Sequence, residues 1–136
     1  MRKDSRLSRI LHILAHMEGN DEPITSTQIA DMLSTNPVVV RRIMGLLKES
    51  GYVQVSKGRN GGWALMCPLN KITLLDIHQL LGETSLFTIG LTDEHSNCPI
   101  ENSINYVLET AMTDAEALLL NRFGEITLDM LVKRSH

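Results

Sequence analysis

Arg41 and Arg42 stand in a stretch where Val40, Ile43, Met44 and Leu47 recur at helical spacing. Those four residues share one face and must pack inward. Val38, Arg41, Arg42 and Gly45 are thereby turned outward, with Val39 at the boundary. Two arginines beside small apolar side chains suit the major groove of duplex DNA. A guanidinium reaches guanine acceptors or phosphates, and valine touches thymine methyls. Gly45 would allow close approach. Solvated arginines beside partly buried valines explain the helix equally well, so the helix alone does not decide.

A second basic group adds weight. Lys57 and Arg59 lie in Lys57-Gly58-Arg59-Asn60-Gly61-Gly62, a turn rich in residues that accept positive φ. A tip of this kind can follow the sugar-phosphate backbone or probe a narrow minor groove. Turn geometry accounts for the glycines but not for the basic residues between them. The candidate DNA contacts are Asn36, Val38, Val39, Arg41, Arg42, Lys57, Arg59 and Asn60.

The elements that must hold these residues are legible in order. Leu7, Ile10, Leu11, Leu14 and Met17 predict a first helix from about Ser5 to Met17, carrying His12 and His16 in plain structural roles. Arg2, Lys3, Arg6 and Arg9 add basic charge there. Thr25 with Gln28 three residues on predicts a capping box for a short second helix, which Ser34-Thr35-Asn36 breaks. Asn36-Pro37 reopens the chain as the recognition helix, which Gly51 stops. Strands at Tyr52–Ser56 and Trp63–Met66 form a hairpin, the wing. A helix from Thr73 to Gly82 follows, then a loop over 83–97. A long helix runs from Pro99 to about Phe123 and is broken by Gly124, and Thr127 caps a short final helix.

The fold class is therefore mainly α with a small β-hairpin wing. A winged helix-turn-helix domain occupies residues 1–82, a connecting loop 83–97, and a dimerisation helix with a short last helix 98–136. Ile104, Leu108, Ala111, Ala115 and Leu118 repeat at 4-3-4-3 spacing, a coiled-coil-like seam that Ile100 and Val107 widen. Such a stripe can pack on its own domain. A helix of about twenty-four residues spans ~36 Å, long for so small a domain, so part of it calls for a partner chain: a homodimer.

Charge is divided in the same sense. Residues 1–71 hold 10 Lys/Arg against 6 Asp/Glu, and residues 72–136 hold 3 against 10, within an overall charge of −3. The first half is built to meet an anion and the second is not. No apolar run approaches the ~20 residues needed to span a bilayer, so no membrane partner is expected. Two cysteines make no disulfide framework, which points to a reducing cytoplasm. The chain has no P-loop, nucleophile elbow or paired metal motif, so no enzyme is expected.

Residues Val40 to Val53, followed by Lys57-Gly58-Arg59-Asn60-Gly61-Gly62-Trp63-Ala64-Leu65, resemble the Rrf-two (Rrf2) family of bacterial transcriptional regulators, of the IscR, NsrR and CymR type. Ile126-Thr127-Leu128-Asp129-Met130-Leu131 resembles the ending of that family, so the likeness covers nearly the whole chain. Asn60 stands where proline is common and Trp63 where tyrosine is common. The resemblance implies homodimers on near-palindromic operators, usually acting in repression. Many members hold an iron–sulfur cluster with three cysteines in the loop and at the start of the long helix. Here only Cys98 falls in that region, and Cys67 follows the wing. Asn97-Cys98-Pro99-Ile100 resembles the cluster-lacking, YwnA-like subgroup, with Glu101 in place of a common glycine. No cofactor is therefore expected. Cys98 at a helix N-terminus remains a candidate redox sensor or, with His95, a candidate metal site, against the plainer reading of a small side chain near a cap. The rival to DNA binding is a winged-helix protein-interaction module, because fold does not fix function.

Overall fold

A computed structural model describes residues 5–82, 91 and 97–134. Local signals set each of the first three helices. α1 (Arg6–Met17) buries Ile10, Ile13, Leu14 and Met17. α2 (Ser26–Leu33) begins on a capping box. The Thr25 hydroxyl accepts the Gln28 N–H at 3.1 Å, and Gln28 Oε1 accepts the Thr25 N–H at 2.9 Å. Two helix-end donors are thus satisfied reciprocally. Ser34, in the left-handed region at φ 53°, closes this helix. α3 (Pro37–Glu49) starts with proline at its first turn, and Asn36 Oδ1 accepts the Val39 N–H at 3.0 Å. Val40, Ile43, Met44 and Leu47 are all buried, as their spacing predicts.

β1 (Val53–Ser56) and β2 (Gly62–Leu65) pair antiparallel, Val53 opposite Leu65 and Ser56 opposite Gly62. A third segment, invisible in the periodicity, joins this hairpin. Ile24 and Trp63 exchange both backbone hydrogen bonds, at 2.9 and 2.8 Å. A Cβ on Gly62 would come within 2.7 Å of the Ile24 carbonyl oxygen, so glycine is required for that approach. The buried Trp63 indole N–H also donates to Ser26 Oγ at 3.0 Å. The wing is thereby fastened to the start of α2.

After a 3₁₀ turn at Leu69–Lys71 comes α4 (Leu74–Leu80), opened by a second reciprocal box between Thr73 and Asp76. The expected loop over 83–97 lies outside the described residues except for Leu91 and Asn97. α5 (Pro99–Glu125) corrects one expectation: Gly124 does not break the helix, which runs through it to Glu125. Packing against α4 explains this. The Leu75 side chain lies 3.5 Å from where a Gly124 Cβ would sit. The rings of His78 and Phe123 meet edge-on at 6.0 Å. Tertiary contact outweighs the roughly 1 kcal/mol that a helix-interior glycine costs. The helix has 27 residues, about 40 Å at 1.5 Å per residue.

α6 (Leu128–Arg134) returns to the body of the fold. The Leu74 N–H donates to the Ile126 carbonyl at 3.0 Å and the Leu128 N–H to the Ile72 carbonyl at 2.9 Å, so a short bridge locks the end of the chain beside α4. One core joins α1 to α4, both strands and Leu128. The rest of α5 is different. Of its residues only Asn105 is buried.

Candidate nucleic-acid interface

The outer side of α3 carries what its spacing predicts. Val38 is 57% exposed, Arg41 and Arg42 are exposed, and Val39 is half-buried against the core. Asn36 is exposed, but its carbonyl oxygen already caps α3, which leaves its amide nitrogen as the group able to reach DNA. Gly45 is the informative residue. A Cβ added there would meet nothing within 4 Å. Nothing among the described residues requires glycine at this helix-interior position, although it costs roughly 0.8–1.0 kcal/mol against alanine. Beside two arginines and an exposed valine, its bare backbone leaves room for an outside surface.

The wing tip is built from unusual backbone. Gly58 has φ 92° and Asn60 φ 63°. A Cβ on Gly61 would fall within 2.4 Å of the Ser56 carbonyl oxygen, so the tip closes only on glycine there. Asparagine tolerates the left-handed region. Proline, fixed near φ −65°, could not take the conformation of Asn60. The departure from proline noted above is thus a different turn. Lys57, Arg59 and Asn60 are all exposed on this tip. Between the tip and the start of α2 lies a cleft of about 530 Å³, lined by Glu22, Pro23, Thr25, Gln28, Gly58, Asn60 and Gly61. The sequence does not reveal that Trp63 and Ser26 hold wing and α2 together, because the two lie 37 residues apart. The indole N–H, which seeks a partner when buried, was the one available signal.

A wing held against a helix-turn-helix, with outward arginines on the second helix, is the arrangement of a DNA-reading domain. The sequence profile described as "Iron-dependent Transcriptional regulator" (Rrf2) matches residues 4–134. The chain belongs to the Rrf2 family. A helix-turn-helix-type transcriptional regulator of Bacillus subtilis, YwnA, is 29% identical over 126 residues, 92% of each chain. A crystal structure of a transcriptional regulator from Lactobacillus plantarum superposes with a TM-score of 0.80 at 24% identity, over 97% of this chain and 91% of that one. IscR of T. potens superposes with a TM-score of 0.72 at 18% identity, over 100% and 89%. Both structures share the winged-helix fold with its long C-terminal helix. This Rrf2 protein is a DNA-binding transcriptional regulator, not an enzyme.

On α5 the expected seam faces outward. Ile104 is 52% and Leu118 74% exposed, Leu108, Ala111 and Ala115 are exposed too, and so are Ile100 and Val107 beside them. Cys98 is exposed immediately before α5, and Cys67 is half-buried after the wing; neither is in a disulfide. His95 and the basic residues Arg2 and Lys3 lie outside the described residues. The donor set does not suit an iron–sulfur cluster, which is held mainly by cysteine thiolates. Cys98 is the one thiol between residues 83 and 125, and Cys67 lies on the other side of α4 in the chain. No helix among the described residues is long and apolar enough to cross a membrane.

Among the described residues, two ionisable groups depart from their ordinary behaviour. The Thr127 hydroxyl donates to the Asp129 carboxylate, with Lys133 Nζ 3.4 Å away, and these contacts hold the Asp129 pKa below the usual carboxylate value. Burial pushes the Tyr52 phenol up, helped by the neighbouring Asp76 and Cys67. Neither group lies on the outer face of α3 or at the wing tip.

Proposed function

We propose that this regulator binds a near-palindromic operator as a cytoplasmic homodimer and represses transcription, with α3 in the major groove and the wing on the backbone or minor groove. The carrying observation is the outer face of α3. Arg41 and Arg42 flank an open Gly45 and an exposed Val38, and the fold makes no use of any of them. Lys57 and Arg59 extend the positive surface onto the wing. The apolar seam of α5 supports the homodimer, since two-fold pairing along it would present two recognition helices to successive turns of DNA.

The regulator works without an iron–sulfur cluster, its supply of thiols being too small, and reversible oxidation of Cys98 is its route to redox sensing. Exposure of Cys98 at the head of α5 supports that route. Binding to random duplex DNA over a range of salt tests the core of this reading. A DNA-binding surface gives affinity that falls steeply with log salt as counterions are released. A protein-interaction module gives weak binding with little salt dependence.

A further inference from the structure

His12 and His16 lie one turn apart on α1, on the side away from Ile10, Ile13, Leu14 and Met17. Both are exposed. Their rings stand 4.6 Å apart between centroids, and the two Nε2 atoms approach to 2.9 Å. We propose that His12 and His16 form a two-imidazole chelate for a borderline first-row divalent cation, with Cu²⁺ and Ni²⁺ as its class of ligand.

The geometry carries the argument. Imidazole nitrogens bind such ions at about 2.0–2.1 Å. Two donors at right angles around one ion are then separated by about 2.9 Å, which is that bond length times √2. The two nitrogens therefore already stand at the spacing of adjacent ligands, and each ring need only turn until its lone pair points about 45° off the line between them. In the metal-free state the same approach is a hydrogen bond, one Nε2–H donating to the other Nε2. When an ion binds, the proton on that Nε2 passes through solvent to the Nδ1 of the same ring, which frees both Nε2 lone pairs for the ion.

Imidazole is a good donor for copper, nickel and zinc and a poor one for magnesium or calcium. No group of three or more His, Cys, Asp and Glu residues converges on an ion among the described residues. Water accordingly fills the remaining positions, and the ion stays exchangeable. The loaded pair ties the last two turns of α1 together, ahead of the connection 18–25 that leads to α2.

Isothermal titration of the tag-free full chain with NiCl₂ tests the proposal, in a Cys67→Ser, Cys98→Ser background that removes the thiols. One Ni²⁺ per chain is expected. Deleting either imidazole, His12→Ala or His16→Ala, weakens binding at least about tenfold, as much as losing even an outer-shell partner does at many sites. Affinity follows Cu²⁺ above Ni²⁺ above Co²⁺, with Mn²⁺ weakest. Both side chains are exposed, so far-ultraviolet circular dichroism of the variants matches the parent. Single variants that keep the affinity of the thiol-free parent, or a thiol-free parent that binds no more Ni²⁺ than its His12→Ala, His16→Ala derivative, overturn the proposal.

Discussion

Replacing Ile104 with alanine perturbs the proposed dimer without touching the core. Full burial of an isoleucine side chain is worth about 1.5–3 kcal/mol. Ile104 is 52% exposed in one chain, so pairing along α5 covers about half of it, roughly 0.8–1.5 kcal/mol. A two-fold interface counts the residue twice, about 1.5–3 kcal/mol for the dimer. The dimer dissociation constant should therefore rise roughly 10- to 150-fold. Ala111→Glu is harsher, because it buries an unpaired charge at the middle of the seam. Sedimentation equilibrium over a concentration series reads both effects, and circular dichroism checks that the monomer fold is retained. A wild-type chain that sediments as a monomer at micromolar concentration refutes the reasoning. So does an Ala111→Glu variant that remains a dimer of unchanged affinity.

Three other outcomes follow from particular residues. Gly45→Ala should raise stability by about 0.8–1.0 kcal/mol while lowering DNA affinity, read by thermal melting and fluorescence anisotropy; undiminished affinity would show that DNA does not approach that backbone. Because the Asp129 pKa is depressed in the folded state, its contribution is full above the ordinary carboxylate range and is lost as pH falls through the depressed value. The stability gap between wild type and Asp129→Asn should thus narrow on acidification, and a gap that widens in urea melts at falling pH would reverse the sign. Anaerobic reconstitution with iron and sulfide should leave the protein colourless, whereas stoichiometric iron and sulfide with visible absorbance would contradict the thiol count.

Much of the fold is legible because its signals are local. The box at Thr25–Gln28, the cap at Asn36–Pro37, and the i, i+3, i+4, i+7 spacing of Val40, Ile43, Met44 and Leu47 lie within a few residues of what they determine. The failures share one cause, which is distance along the chain. Gly124 reads as a helix end until Leu75 and His78 pack against the last turns of α5. No local signal assigns Ile24, which pairs with Trp63. The candidate DNA contacts were legible as a face, since Arg41 and Arg42 follow from the inward set. The sequence did not show that Asn60, among the tip residues that accept positive φ, is one that takes a left-handed conformation. Nor does spacing alone show how near two rings come. His12 and His16 read as residues in plain structural roles until their Nε2 atoms are placed 2.9 Å apart.

The claim that α3 reads base edges is tested most directly by one comparison. Genomic fragments selected with the purified wild-type protein supply the preferred site, and random duplex of equal length supplies the reference. Arg42→Ala should lose about 1–3 kcal/mol at the preferred site, roughly 5- to 150-fold in affinity, if its guanidinium makes a bidentate base contact. Its affinity for random duplex should change far less at the same moderate salt. Equal losses on both DNAs, or no loss on either, would contradict the account.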